Sequence, residues 1–144
     1  MNSSHVARMR LFNRFYTSLA GVLNRKFLNG KFSLPELRVL HAIGDAQGIT
    51  ANEIAALLNI DKSYLSKIII RFEKRRFLTK KVSLHDARAY HLSLTATGRK
   101  EFEVYDRLSD EYVKQMLVQL SDEDCERLVE CMETITTILG RVRV

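Results

Sequence analysis

The most constraining feature of this sequence is a change of hydrophobic period at Phe77. Before it, apolar side chains recur every three or four positions, the spacing of helices that bury one face. After it, the runs 78–83 and 89–94 are rich in strand formers. In the second run Tyr90, Leu92 and Leu94 share one face while His91 and Ser93 share the other. The short loop from Leu84 to Arg88 joins the two runs and makes them a β-hairpin.

Two short helices lead directly into that hairpin. Thr50 and Glu53 form a capping box that opens the first, with Ile54, Leu57 and Leu58 as its buried face. A turn at 59–61 follows, and Asp61 caps a second helix over about 62–76 whose Leu65, Ile68, Ile69 and Phe72 point inward. Helices separated by so few residues make a helix-turn-helix, and a helix-turn-helix followed by a hairpin is a winged helix. Upstream, Val6, Met9, Phe12, Phe15, Leu19, Leu23 and Phe27 mark a helix over about 4–28 that Asn29 and Gly30 break. The next helix starts with Ser33 as N-cap, Pro35 in the first turn and Glu36 reaching back, buries Leu37, Leu40, Ala42 and Ile43, and ends between Gly44 and Gly48. Downstream, Phe102, Tyr105, Leu108, Tyr112, Met116 and Leu120 mark a helix over about 97–119. Ser121 caps a last one over 122–139 carrying Leu128, Met132, Ile135 and Leu139. The fold class is mainly α, of the α+β kind: one domain over 1–144, with a winged helix-turn-helix over about 33–96 and dimerisation helices at about 4–28 and 97–140.

Composition enters through charge. The 144 residues carry a net +6, divided as +4 over 1–60, +8 over 61–100 and −6 over 101–144. A basic block at the helix-turn-helix and hairpin, between parts of other character, is the pattern of a polyanion-binding element; the bland alternative is a solvated basic face. With 46% hydrophobic residues and one proline, disordered and collagen-like classes are excluded. The longest apolar stretch, residues 54–58, is far short of the roughly 20 residues of a membrane span. The N-terminal residues lack the apolar core of a signal peptide, so a cytoplasmic protein without membrane partners is expected.

The residues resemble a known family. Asp86 and Arg88 in the loop, then Leu94, Thr95 and Gly98, preceded by residues 54–58 and by Ser63, Tyr64, Ser66 and Lys67, look like the MarR family of dimeric winged-helix transcription regulators. Residues 12–16, 32–40 and 58–66 are similar to the MarR subgroup often fused to an N-acetyltransferase, although no glycine-rich acetyl-CoA loop is present. One departure is visible: the family commonly has glycine after the recognition helix, a position that is Arg75 or Arg76 in this chain. The resemblance implies a homodimeric repressor on a pseudo-palindromic operator. The alternatives from other classes are a regulatory domain for an acetyltransferase and a winged helix for protein or RNA contacts.

An α-helix fits the major groove, and its N-terminal residues reach base edges. Lys62, Ser63, Tyr64, Ser66 and Lys67 occupy the first turns of the recognition helix, with Arg71 one turn further. Ser63, Tyr64 and Lys67 are assigned to base edges or the nearest phosphates; for Tyr64 packing against the neighbouring helix is the alternative. The resemblance implies a minor-groove or backbone contact for Arg88 at the wing tip. Asp86 orients Arg88 or caps the turn, unless the two form only a surface ion pair. Lys74, Arg75, Lys80 and Lys81 are candidates for phosphate contacts, which fix position rather than sequence. The terminal helices carry more apolar positions than a small winged core can cover, and a two-fold dimer is the economical way to bury them.

The resemblance also implies a small aromatic or anionic effector, with Phe12, Phe15, Tyr16, Arg38 and His41 as candidate crevice residues; core packing explains the aromatic ones equally well. Cys125 and Cys131 are about 240° apart around a helix and do not pair. The four histidines show no metal-ligand spacing, and no nucleophile motif, carboxylate pair or phosphate loop is present. No cofactor, metal or catalytic residue is therefore expected.

Overall fold

The computed structural model describes residues 3–27 and 31–142, and the side chains of all of these except 22–27. The break at Asn29 and Gly30 and the side chains of Leu23 and Phe27 lie outside the described residues. The chain divides after Leu108 into two compact units.

In the first unit the order is α1 (Ser3–Phe27), α2 (Leu34–Asp45), β1 (Ile49–Thr50), α3 (Ala51–Leu58), α4 (Lys62–Lys74), β2 (Leu78–Val82), β3 (Tyr90–Leu94) and the start of α5 (Ala96–Leu117). The sheet is antiparallel in the order β1-β3-β2, with Leu78 opposite Leu94, Val82 opposite Tyr90 and Ile49 opposite Leu92. Strand β1 is absent from the sequence reading. It has two residues, too few to show alternation, and Thr50 doubles as the N-cap of α3.

The helix starts follow their capping residues. Thr50 and Glu53 exchange bonds of 3.2 and 2.9 Å, and Asp61 accepts the Tyr64 N–H at 2.9 Å. Ser33 accepts the Glu36 N–H at 3.3 Å, but the reciprocal half of that box is replaced: the Glu36 carboxylate lies 3.2 Å from the Arg71 guanidinium on α4. A charged partner on a neighbouring helix competes successfully with a local amide.

Leu37, Leu40 and Ile43 of α2, Ile54 of α3, Leu65, Ile68 and Phe72 of α4, and Leu92 of β3 form a fully buried core. Each such side chain contributes about 1.5–3 kcal/mol on leaving water. Helix α3 departs from the sequence reading. Ala55 is buried and Leu58 packs at the core edge, while Leu57 is 67% exposed. At about 100° per residue, the arc from Ile54 through Leu58 to Ala55 faces inward and Leu57 falls on its far side.

Helix α4 ends in a Schellman motif. The Arg76 N–H donates to the Glu73 carbonyl at 2.9 Å and the Phe77 N–H to the Phe72 carbonyl at 2.8 Å, with the Phe72 and Phe77 rings 5.9 Å apart. The motif needs a left-handed residue, and Arg76 supplies it at φ 58°. A glycine would take this conformation freely, and the chain makes the turn with arginine at a cost of about 1–2 kcal/mol.

The second unit, from Ser109 on, holds the end of α5 and α6 (Asp122–Leu139), with Ser121 accepting the Asp124 N–H at 3.1 Å. None of the α6 residues is buried. Among the described residues no helix is long and apolar enough to cross a membrane.

Candidate nucleic-acid interface

Helix α4 sorts its residues by face. Leu65, Ile68, Ile69 and Phe72 go into the core, so the intervening Lys62, Ser63, Tyr64, Ser66 and Lys67 are all left exposed over its first turns. The Asp61 cap fixes where that face begins. Tyr64 also lines a small hollow with Pro35, Arg38, Leu58 and Ile60, so its ring is partly packed and partly free.

The wing stands beside this face. Thr50 and Asn52 at the start of α3, Lys62, Ser66 and Ile70 on α4, and Lys80, Arg88 and Tyr90 on the wing line one groove of about 330 Å³. Asp86 accepts the Arg88 backbone N–H at 2.9 Å, which makes it the cap of the wing turn. The Arg88 side chain is thus presented by a defined turn. Thr50, Asn52 and Ile70 are groove residues the sequence reading missed. For Ile70 a signal existed: it is the apolar residue of α4 that falls off the buried arc, and an exposed apolar group there can meet a thymine methyl.

The remaining basic residues differ in how free they are. Arg71 is held by Glu36, and Lys80 lies 3.1 Å from Glu73 and 5.4 Å from the centre of the Tyr90 ring. Arg75 lies over the Phe32 and Phe77 rings at 5.8 and 6.0 Å. Lys67, Lys74 and Lys81 are exposed. The groove itself presents the cations Lys62, Lys80 and Arg88, of which Lys80 is positioned by a carboxylate and a ring.

Residues 31–89 match the MarR family. The match falls on the winged-helix lobe. Three solved structures show how far the likeness of fold extends. FabT of Streptococcus pneumoniae, determined in complex with DNA, is 19% identical at a TM-score of 0.81, covering 94% of this chain and 99% of that one. The MepR–DNA complex of S. aureus is 22% identical at 0.73, covering 90% and 96%. A mutant of E. coli MarR is 18% identical at 0.75, covering 88% and 93%. No curated protein matches the chain by sequence.

In this lobe the pair Thr95 and Gly98 has a clear structural job. The Thr95 hydroxyl donates to the Arg76 carbonyl at 2.5 Å and accepts the Gly98 N–H at 3.0 Å. A Cβ on Gly98 would lie 1.9 Å from the Phe77 carbonyl oxygen, so only glycine lets α5 start against the Schellman corner. The candidate effector residues meet different neighbours. Phe12 stacks on Tyr16 at 5.8 Å on the exposed α1, where Phe15 is 65% exposed. Arg38 lines the Tyr64 hollow, while His41 sits 3.3 Å from Asp45 with its ring against Phe102 and Tyr105.

Proposed function

We propose that this chain is a sequence-specific DNA-binding transcription regulator that acts as a homodimer on a pseudo-palindromic operator. The observation that carries the proposal is the continuous surface formed by the exposed first turns of α4 and the groove that joins them to the Arg88 wing. Its basic side chains fit a phosphate backbone, and the helix has the polar residues needed for base edges. FabT and MepR, which share the fold, have been solved with DNA.

The dimer is supported by the terminal helices. Val6, Met9, Phe12 and Phe15 of α1 and Val129, Met132, Ile135 and Leu139 of α6 are all exposed large apolar side chains. Faces of this size call for a partner, and a second copy is the commonest one. Repression follows from occupancy: a dimer seated across an operator excludes polymerase from the same DNA.

Selection of bound fragments from a pool of random duplexes tests the function. Enrichment of an inverted repeat with half-sites about one helical turn apart is the expected result. Recovery of duplexes with no common element, or no retention of DNA, overturns it.

A further inference from the structure

The tip of the wing carries a side chain that a hairpin turn in water does not call for. Turn positions favour polar residues and glycine, yet Leu84 is 95% exposed, more than any other large hydrophobic residue described. Its projection is fixed from both sides. The Ser83 N–H donates to the Ala89 carbonyl at 2.9 Å, and the Ser83 hydroxyl accepts the His85 N–H at 3.3 Å. Beyond the tip, Asp86 accepts the Arg88 N–H on its carboxylate and the Ala89 N–H on its carbonyl, at 2.9 and 3.1 Å.

A scattered exposed leucine needs no explanation. This one ends a pinned projection on which Lys81 lines a hollow with it and Arg88 stands exposed four residues further along the loop. An apolar point flanked by cations is complementary to a groove whose walls are phosphates and whose floor is stacked base edges. Leucine is among the side chains that wedge between base steps from the minor groove.

We propose that Leu84 is an apolar wedge that enters the minor groove of the bound duplex and partly unstacks one base step, with Lys81 and Arg88 toward the flanking phosphates. The inference rests on the DNA-binding function proposed above and adds a means of discrimination to it. Pyrimidine–purine steps unstack more readily than others, so the wing selects sequence there without a hydrogen bond to a base.

The experiment uses duplexes selected by the full chain from a random pool, with 2-aminopurine placed in turn at each step beneath the wing. The wild type, Leu84→Ala and Leu84→Met are compared. The wild type is expected to brighten the probe at one step, Leu84→Met to retain the signal, and Leu84→Ala to lose it. The alanine variant should bind about tenfold more weakly, with the deficit largest where that step is pyrimidine–purine. All three should melt together. Wild-type binding without brightening at any step overturns the wedge alone, as does a Leu84→Ala protein that binds and brightens like the wild type. A Leu84→Ala effect on self-association with DNA binding intact also overturns it, by making the tip a protein contact. If the wild type binds no duplex, the DNA-binding function falls and the wedge with it.

Discussion

The Thr95 hydroxyl donates to the backbone carbonyl of Arg76, tying the first turn of α5 to the left-handed residue that ends α4. The recognition helix, the wing and α5 therefore meet at one corner. Its geometry sets where the exposed face of α4 points relative to the wing.

Because Arg76 holds φ 58° without the freedom of glycine, Arg76→Gly should stabilise the protein. The expected gain is about 1 kcal/mol, read as a rise in the midpoint of thermal or urea unfolding. A loss of stability would show that the arginine side chain contributes more than its backbone conformation costs.

Gly98→Ala should act in the opposite sense. The added methyl meets the Phe77 carbonyl, which is backbone and cannot swing aside, so α5 must shift at a cost of about 1–3 kcal/mol. Unfolding midpoints check this, and an unchanged midpoint would mean that the corner is more yielding than its geometry indicates.

Glu36 and Arg71 brace α2 against α4, and breaking the pair should be felt in stability as well as in binding. A double-mutant cycle with Glu36→Gln and Arg71→Ala should show a coupling of about 0.2–1 kcal/mol, the range for partly exposed pairs. Zero coupling would release Arg71 as a free phosphate contact.

If α1 and α6 pair two copies, Ile135→Asp should yield monomers in sedimentation and weaken operator binding by about 100-fold or more, since the two half-sites are no longer engaged together. A variant that remained dimeric would place the interface elsewhere.

Much of this architecture was legible in the sequence because its signals are local. The capping residues Thr50, Asp61 and Ser121 and the inward stripe of α4 lie where short-range rules put them. What escaped depends on partners distant in the chain. Strand β1 exists because Ile49 finds Leu92, and Glu36 leaves its own helix cap for Arg71. The site was legible as a set of exposed basic and polar residues. Which cations are already engaged, such as Lys80 with Glu73, depends on side-chain geometry that spacing does not encode.

DNA binding through the basic face of α4 and the wing is tested by the salt dependence of binding to a selected operator, measured for the wild type and for Lys67→Ala. Log K is expected to fall linearly with log salt by about 0.9 per phosphate contacted, and Lys67→Ala to lower the slope by about 1. Affinity that stays level as salt rises would contradict it.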